Sequence, residues 1–286
     1  MCLELNSVEA VQKALATQRY VCEESLATAI FLALRLPKPL LLEGEAGVGK
    51  TEVAKALAAI LDTDLIRLQC YEGLDVSHAV YEWNYPRQML AIRLLEDKSV
   101  ARDEAMEEIF SSEYLIERPL LQAVRHKGKA PVLLIDEIDR ADEEFEAFLL
   151  ELLSDFQITI PEIGTIRAET PPIVIITSNR TRELHDALKR RCLYHWISHP
   201  SPEREAEIVR AHLPDVDEDI ARRVCDAVAR LRAADLYKAP GTGEAIAWAR
   251  ALSLLDDPAL EPTLGVALKV REDIERVVES GVLEGV

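Results

Sequence analysis

The sequence is short of positive charge. It has 33 lysine and arginine residues against 51 aspartate and glutamate residues, which gives a formal net charge of −18. A protein that binds the phosphate backbone of a nucleic acid needs a broad basic face to neutralise it. The charge balance argues against such a face, and we expect no nucleic-acid partner.

Paired cysteines and long apolar segments are also missing. None of the five cysteines stands in a CxxC pair, and an odd, scattered set is typical of a reducing compartment. No apolar run approaches the ~18 residues that a membrane helix needs. The start, MCLELNSVEA, lacks the basic-then-apolar order of a signal peptide. We therefore expect a cytoplasmic protein without a transmembrane segment. The cysteines are Cys2, Cys22, Cys70, Cys192 and Cys225.

Aromatic residues make up only 5% of the chain, whereas aliphatic residues are abundant. Short β-like runs alternate with helical patterns, which predicts the α/β class, with a parallel sheet covered by helices. Apolar residues are consecutive in the β-like runs, and this favours strands buried on both faces. Apolar spacings of three and four predict helices at 52–61 and 143–156. The β-like runs are 39–44, 64–70, 131–137, 171–179 and 194–198.

One long segment interrupts this alternation. Residues 71–118 are too many for a single loop, so we expect an inserted helical element there. Tyr81, Trp83 and Tyr85 are crowded within this insert. They either form a surface that grips a substrate or pack the insert onto the body of the protein.

The chain changes character again before the β-like run 171–179 and after the last run, 194–198. Residues 156–168 alternate apolar and polar around a Pro-Glu-Ile-Gly turn, which predicts a β-hairpin. After SHPSPERE the pattern is helical. We therefore predict an α/β domain over residues 1–199 and an all-helical domain over residues 200–286.

A glycine-rich segment directly follows the first β-like run and precedes a helix. It reads GEAGVGKT and matches GxxxxGK[ST] in full. Its glycines allow positive φ, so backbone N–H groups can curl around phosphate oxygens beside the helix N-terminus. In this pattern Lys50 reaches the β/γ-phosphates and the Thr51 hydroxyl holds Mg²⁺. A nucleoside triphosphate site is therefore predicted at Gly44, Glu45, Ala46, Gly47, Val48, Gly49, Lys50, Thr51 and Glu52.

Two carboxylates end the run VLLIDE. An acid at a strand end can face a bound metal through water, which suits Asp136, and Glu137 can polarise the attacking water. Alternatively, both acids only cap the helix that follows. For the next acids, Asp139 and Asp142, we expect only the capping role.

The run PPIVIITSN also ends in polar residues. Asn179 can donate and accept hydrogen bonds, so it can orient the water that attacks the γ-phosphate; alternatively, it forms a turn leaving the strand. The chain has neither the NKxD of guanine-reading GTPases nor an LSGGQ-like run of transporter ATPases. ATP is therefore the expected nucleotide.

A basic cluster, Lys189, Arg190 and Arg191, follows on a helix-like stretch. An arginine supplied by a neighbouring molecule can stabilise charge on a transferring phosphate, and this contributes roughly 10³–10⁵ in rate. The cluster serves that purpose if subunits pack in a ring. Alternatively, it is a solvated helix C-terminus, where basic side chains favour the helix dipole.

Taken in order, these motifs resemble an AAA+ ATPase: a P-loop core, the acidic pair, the asparagine, the doubled arginine and a helical lid. The insert and the hairpin are similar to those of the MoxR group. The stretches LQCYEGLDVSHAVYEWNYPRQML, LSDFQITIPEIGT, IVIITSNRTRELHDALKRRC and TLGVALK resemble the CoxD-like branch. The resemblance runs from about Tyr20 to about Val278, nearly the whole chain.

This resemblance implies a ring-forming, usually hexameric, ATP-driven chaperone that uses Mg²⁺. It also implies a partner with a von Willebrand A (VWA) domain and a client metalloenzyme, the molybdenum–copper site of a carbon monoxide dehydrogenase in the CoxD-like branch. Arg191, directly before Cys192, takes the position of the arginine finger, with Arg190 as second choice. A nucleotide-gated scaffold or regulatory switch with incidental hydrolysis is the alternative.

The sequence departs from the family pattern at one place. Many MoxR-like proteins carry an arginine, called sensor 2, at the start of a lid helix. This chain reads Ala239-Pro-Gly-Thr-Gly-Glu-Ala245, with Glu244 near the expected position. Either Arg250 substitutes for the missing arginine, or sensor 2 is absent.

Overall fold

The computed structural model describes residues 5–96, 106, 108–255 and 259–285. They group into two compact units, which we name by their content. The loop unit comprises the described residues within 1–31, 43–60 and 196–286, and the sheet unit comprises those within 32–42 and 61–195. The predicted boundary at residue 199 separates an α/β segment from a helical segment, whereas the two units are groups of residues in contact. The boundary therefore stays a prediction. Cys2 lies outside the described residues.

Five strands form the main sheet: β1 (Leu40–Gly44), β2 (Leu65–Gln69), β5 (Val132–Asp136), β8 (Ile173–Ser178) and β9 (Leu193–Ile197). Their order is β2-β5-β8-β1-β9, and β2, β5 and β8 run parallel. The sheet belongs to the sheet unit, except for the last two residues of β1 and of β9. Each predicted run is a strand, and the α/β class is confirmed.

Burial differs between the centre and the edges of this sheet. Every residue of β1 and β5 is buried, as the apolar runs predict. The prediction of burial on both faces is wrong for β2 and β9, where most residues are only partly buried. These two strands lie at the sheet edges, so fewer neighbours cover them. Tyr194, for example, is 53% exposed.

The helices form where apolar periodicity and caps coincide. Asp142 caps the helix Glu143–Asp155, because its Oδ1 accepts a hydrogen bond from the Phe145 N–H at 2.8 Å, as expected of this acid. Helices of the described residues include α1 (Val8–Thr17), α2 (Glu24–Arg35), α3 (Lys50–Leu61), α4 (Val76–Ala79), α5 (Tyr85–Glu96), α6 (Pro119–Arg125), α7 (Glu143–Asp155), α8 (Asp186–Lys189), α9 (Pro202–His212), α10 (Glu218–Ala233), α11 (Thr242–Leu252), α12 (Leu264–Ala267) and α13 (Arg271–Ser280). None of these is long and apolar enough to cross a bilayer.

The insert lies in the sheet unit and combines helices with a two-stranded antiparallel sheet. Residues 97–105 and 107 within it lie outside the described residues. Its strands β3 (Tyr81–Trp83) and β4 (Leu115–Glu117) pair antiparallel on either side of α5. Trp83 is buried, and its ring meets the Phe110 ring edge-on with 5.2 Å between the two ring centroids. Trp83 therefore contributes to the packing of the insert. Tyr85 is 63% exposed. Of the aromatic residues that the sequence crowds here, Trp83 is thus a packing residue and Tyr85 a surface residue.

The predicted hairpin is present. Strands β6 (Gln157–Ile160) and β7 (Gly164–Arg167) pair antiparallel, with Ile158 opposite Ile166. Ile158 and Ile160 are buried and join the core of the sheet unit, whereas β7 is largely exposed.

After β9 the described chain is helical, as expected. Helices α9 to α13 share an apolar core around Trp248, whose Nε1 donates to Thr263 Oγ1 at 2.7 Å. A buried ion pair lies at the side of this core: Arg232 donates from Nη1 and Nη2 to the two carboxylate oxygens of Glu205, at 2.8 and 2.7 Å. The two hydrogen bonds compensate both charges at a place that water hardly reaches.

Candidate nucleotide site

The phosphate loop, residues 44–51, begins at the last residue of β1 and runs into α3. Gly47 and Gly49 have φ of 80° and 90°, which is the left-handed region that glycine adopts without strain. A side chain on Gly49 would meet the Tyr20 ring at 3.7 Å, whereas a side chain on Gly47 would meet the Gly241 backbone at 2.8 Å. The local conformation fits a nest of N–H groups for phosphate.

Lys50 is folded over this loop. Its side chain is buried, and Nζ donates to the carbonyl oxygens of Gly44 and Glu45 at 2.8 and 2.6 Å. A buried ammonium needs such partners, and these two carbonyls keep it beside the loop. Lys50 is therefore placed where an anion bound by the loop would meet a positive charge.

The other predicted loop residues differ in what their side chains contact. Val48 is buried, and Ala46 is exposed. Glu45 pairs with His199 at 2.9 Å, and Glu52 pairs with Lys55 along α3. The Glu45 and Glu52 side chains are thus engaged elsewhere, so their contribution to a phosphate site rests on the backbone. Thr51 is half-buried in the first turn of α3.

Tyr20 is a residue of this site that sequence reasoning missed. Its ring lies next to Gly49, and burial raises the pKa of its hydroxyl above the ordinary range. Nothing in the local pattern RYVCEE signals a site, because the contact depends on how the segment before α2 packs.

The acidic strand end lies in the sheet unit. Asp136, the last residue of β5, is 2% exposed. Its Oδ1 accepts a hydrogen bond from Thr177 Oγ1 at 2.6 Å, and its Oδ2 accepts from Arg67 Nη2 at 2.6 Å and Nε at 3.1 Å. The carboxylate is therefore fixed in orientation and its charge is compensated.

Glu137 stands directly after the strand in a left-handed conformation, with φ of 55°. Its N–H donates to Thr177 Oγ1 at 2.9 Å. Its Oε2 accepts from Gln69 Nε2 at 3.0 Å and pairs with Arg140 Nε at 3.1 Å. Asn179 Nδ2 donates to its Oε1 at 3.4 Å. The structure thus brings Glu137 and Asn179 together, since the parallel strands β2, β5 and β8 end at the same edge.

Asp139 does more than the capping role that we expected of it. It is 3% exposed and accepts hydrogen bonds from the Asn179 N–H at 3.1 Å and from Thr181 N–H and Oγ1 at 2.9 and 2.6 Å. Burial acts to raise the pKa of Asp139, but the bonds from Thr181 and Asn179 outweigh it and hold the pKa below its usual range. The carboxylate anchors the loop that carries Asn179, so the expectation of capping alone is wrong.

The basic cluster begins at Lys189, the last residue of α8. Arg191 donates from Nε to Ser154 Oγ at 2.6 Å and from Nη1 to the Ala187 carbonyl at 2.9 Å. Lys189 pairs with Glu183 at 3.2 Å. The exposed Arg190 side chain makes no hydrogen bond or ion pair with any residue that the structure describes. Arg191 is thus tied to its own subunit, and Arg190 can reach outward.

At the start of α11, Glu244 caps its own helix. Its Oε2 accepts a hydrogen bond from the Gly241 N–H at 3.1 Å, so the carboxylate satisfies a donor at the helix start. The neighbouring Thr242 donates its N–H to the Gly47 carbonyl of the phosphate loop at 3.0 Å. Arg250 is exposed in the last turn, about 12 Å along the helix from Thr242.

The chain is similar in sequence to a known protein family and to a curated relative. Residues 39–192 match the model of the AAA domain, dynein-related subfamily, which is more than half of the chain. Over 238 residues the chain is 28% identical to the gas vesicle ATPase GvpN of Haloferax mediterranei, covering 78% of this chain. The match covers 65% of GvpN, just under two thirds of its length.

Among solved structures, the chain is similar to a variant of Thermotoga maritima RuvB. The identity is 20% and the TM-score is 0.45, over 95% of this chain and 68% of that one. The family assignment rests on the domain match, which spans the phosphate loop, the acidic strand end and the basic cluster up to Cys192. The chain belongs to the AAA family of ATPases, in its dynein-related subfamily.

Proposed function

We propose that this protein binds ATP at the phosphate loop and hydrolyses it to ADP and phosphate. The observation that carries the proposal is the loop itself: left-handed Gly47 and Gly49 precede a buried Lys50 at the start of α3. This combination offers backbone donors, a helix N-terminus and a lysine to one anion. The absence of a guanine-reading NKxD from the sequence supports ATP as the nucleotide.

Magnesium belongs to this proposal, with Thr51 and Asp136 as the residues that would hold it. The fit is supported by Asp136, a buried strand-end carboxylate whose Oδ1 is oriented by Thr177. Oxygen ligands of this kind suit Mg²⁺, directly or through water. When bound, the ion neutralises charge on the β- and γ-phosphate oxygens.

Glu137 is proposed as the base that polarises the attacking water, and Asn179 as the residue that orients this water. Their support is the cluster in which Gln69, Arg140 and Asn179 hold the Glu137 carboxylate in place. Donors on both of its oxygens hold the Glu137 carboxylate in one direction, and a general base needs such a fixed position.

We further propose assembly into a ring, usually of six subunits in this family, in which a basic side chain enters the neighbouring site. Sequence resemblance favours Arg191 as this side chain, whereas the lack of a partner for the Arg190 guanidinium among the described residues favours Arg190. Because Arg191 would first have to leave Ser154, we assign the role to Arg190, with Arg191 positioning the turn.

The cellular role that we propose is that of a cytoplasmic MoxR-type chaperone, in the CoxD-like branch, working with a VWA-domain protein on a client metalloenzyme. The sequence stretches shared with that branch support it, and the molybdenum–copper site of a carbon monoxide dehydrogenase is the implied client. Cys22, Cys70, Cys192 and Cys225 are free thiols, which suits a reducing compartment. The acidic charge balance supports the absence of a nucleic-acid partner.

A nucleotide-gated scaffold is the second candidate. The observation that favours it is that Asp136 and Glu137 are both engaged by basic side chains, Arg67 and Arg140, as a resting switch would require. Steady-state turnover distinguishes the two, because a scaffold binds ATP with negligible turnover whether or not client and partner are present.

The proposal is tested by the variant Glu137→Gln. It removes the base and keeps the shape of the side chain, so we expect ATP binding close to that of the wild type with turnover lowered by about 10²-fold or more. Binding is measured with a fluorescent ATP analogue, and turnover by phosphate release. Near-normal turnover of the variant would reject Glu137 as the base.

A further inference from the structure

The phosphate loop of the loop unit is in direct main-chain contact with the start of α11. The Thr242 N–H donates to the Gly47 carbonyl at 3.0 Å. An added side chain on Gly241 would stand 2.7 Å from the Gly47 Cα, and one on Gly47 would stand 2.8 Å from the Gly241 Cα. Only glycine fits at either position without a backbone shift. We call this contact the glycine contact.

The hydrogen bond of the glycine contact acts on the part of the loop that would bind phosphate. The Gly47 carbonyl and the Val48 N–H belong to one peptide group, and a trans peptide points them in opposite directions. The described chain contains no cis peptide. Fixing the carbonyl against Thr242 therefore also fixes the direction of the Val48 N–H, one of the donors of the phosphate nest.

The helix side of the contact is itself held firmly. Glu244 accepts from the Gly241 N–H at 3.1 Å, and Arg232 Nε donates to the Pro240 carbonyl at 2.8 Å. The same guanidinium forms the buried pair with Glu205. The start of α11 is thus linked to α9 and α10, so a movement of the phosphate loop is passed on to the helical core.

We propose that Gly241 and the Thr242 N–H are positioning residues for nucleotide binding, and that they link occupancy of the phosphate loop to the helical segment through the main chain. This inference rests on the proposed function. It gives the segment around Glu244 a role without an arginine: the glutamate shapes the helix start, and the backbone makes the contact.

The first test is Thr242→Pro. Proline is tolerated at the first position of a helix, and Gly241 already has the extended conformation that a residue before proline requires, with φ of −84° and ψ of 179°. The substitution removes the donor and places a ring carbon against the Gly47 carbonyl. Because this carbon takes the place of the N–H hydrogen, the Gly47 carbonyl has to move away from α11. We therefore expect the Kd for ATP to rise about tenfold or more, the ATP-induced increase in Tm to shrink, and the Tm without nucleotide to fall as well.

The second test compares Gly241→Ala with Gly243→Ala. The Gly241 side chain would collide with the Gly47 backbone, whereas nothing lies within 4 Å of one on Gly243. We expect Gly241→Ala to weaken ATP binding about tenfold or more and Gly243→Ala to bind like the wild type. If neither Gly241→Ala nor Thr242→Pro folds, hydrogen exchange of the Thr242 N–H in the wild type decides: the inference expects slower exchange with ATP bound, and exchange that ATP leaves unchanged overturns it.

The results of these tests distinguish a failure of the inference from a failure of the proposed function. ATP binding by Thr242→Pro at wild-type affinity overturns the inference and leaves the proposed function intact. Equal losses in Thr242→Pro and Gly243→Ala also overturn it, because they indicate a general disturbance of the helix start. A wild-type protein that binds no ATP overturns the proposed function, and the inference with it.

Discussion

At the scale of single residues, the most informative side chain is Arg67. It compensates the charge of Asp136, a carboxylate that is nearly inaccessible to water. A buried carboxylate without a partner is costly, so the pair is needed while no metal is bound. If magnesium binds near Asp136 as proposed, it would compete with the Arg67 guanidinium for the Asp136 carboxylate.

We therefore predict that Arg67→Ala lowers the Mg²⁺ concentration required for half-maximal ATP turnover. The substitution should also destabilise the nucleotide-free protein by about 1–2 kcal/mol. This loss is modest because the Arg67 side chain is 49% exposed. Magnesium titration of turnover and thermal unfolding measure the two effects. Arg67→Lys, which keeps the charge, is the control and should fall in between. An unchanged magnesium requirement in Arg67→Ala would contradict the competition.

Lys50→Ala gives a second prediction at this scale. The substitution removes the positive charge buried over the phosphate loop, and we expect ATP binding to become undetectable at concentrations that saturate the wild type. Equilibrium binding of a fluorescent ATP analogue measures it. The control is Lys55→Ala further along α3, where the lysine pairs with Glu52 in the exposed part of the helix. Equal binding by Lys50→Ala and the wild type would rule out the assigned loop.

The sequence predicted those site residues whose role follows from a local pattern, but it did not predict their hydrogen-bond partners. Asp136, Glu137 and Asn179 each follow an apolar run that marks a strand end. Arg67 and Gln69 were not anticipated, because their contacts arise from the register of β2 against β5, between residues more than sixty positions apart. Such pairing cannot be read from one strand alone.

At the scale of elements, the loop after β8 depends on Asp139. The short helical turn Ile138–Arg140 places this carboxylate so that it accepts the N–H groups of Asn179 and Thr181. The sequence suggested only a cap because an acid after a strand and before a helix fits that pattern equally well. The distinction depends on the position of a loop 40 residues further along.

We predict that Asp139→Asn lowers ATP turnover about tenfold or more while ATP affinity stays within about twofold, because an amide cannot accept all three bonds and the Asn179 loop loosens. The protein should lose about 1–3 kcal/mol of unfolding free energy. Turnover, binding and chemical denaturation are the measurements. Asp142→Asn is the matched control, since asparagine caps a helix as well as aspartate does. Similar losses in both variants would refute the anchoring role.

At the scale of the whole molecule, the sequence predicted the order of elements, but it did not predict which elements group by contacts. Strands, hairpin and helical C-terminal segment follow from hydrophobic periodicity, which is local. The loop unit gathers residues 1–31, 43–60 and 196–286 from separate parts of the chain. Contacts such as that of Tyr20 with Gly49 create this grouping, and no local pattern encodes them.

Assembly is the property of the whole molecule that the proposed mechanism needs. If Arg190 acts in the neighbouring site, Arg190→Ala subunits bind ATP but turn it over slowly, and Glu137→Gln subunits have a usable arginine without a base. A mixture of the two variants should then recover part of the turnover, because some interfaces pair an intact Glu137 with an intact Arg190. Phosphate release from the mixture, compared with each variant alone, measures this. Absence of any recovery would argue against the trans arrangement.

The central claim is that this chain hydrolyses ATP only when a neighbouring subunit completes the site. It is tested most directly by steady-state phosphate release per subunit across a wide range of protein concentration, with the assembly state followed by light scattering in the same samples. The account predicts turnover per subunit that rises in step with assembly. Turnover that is as fast in dilute, monomeric protein as in the assembled form would contradict it.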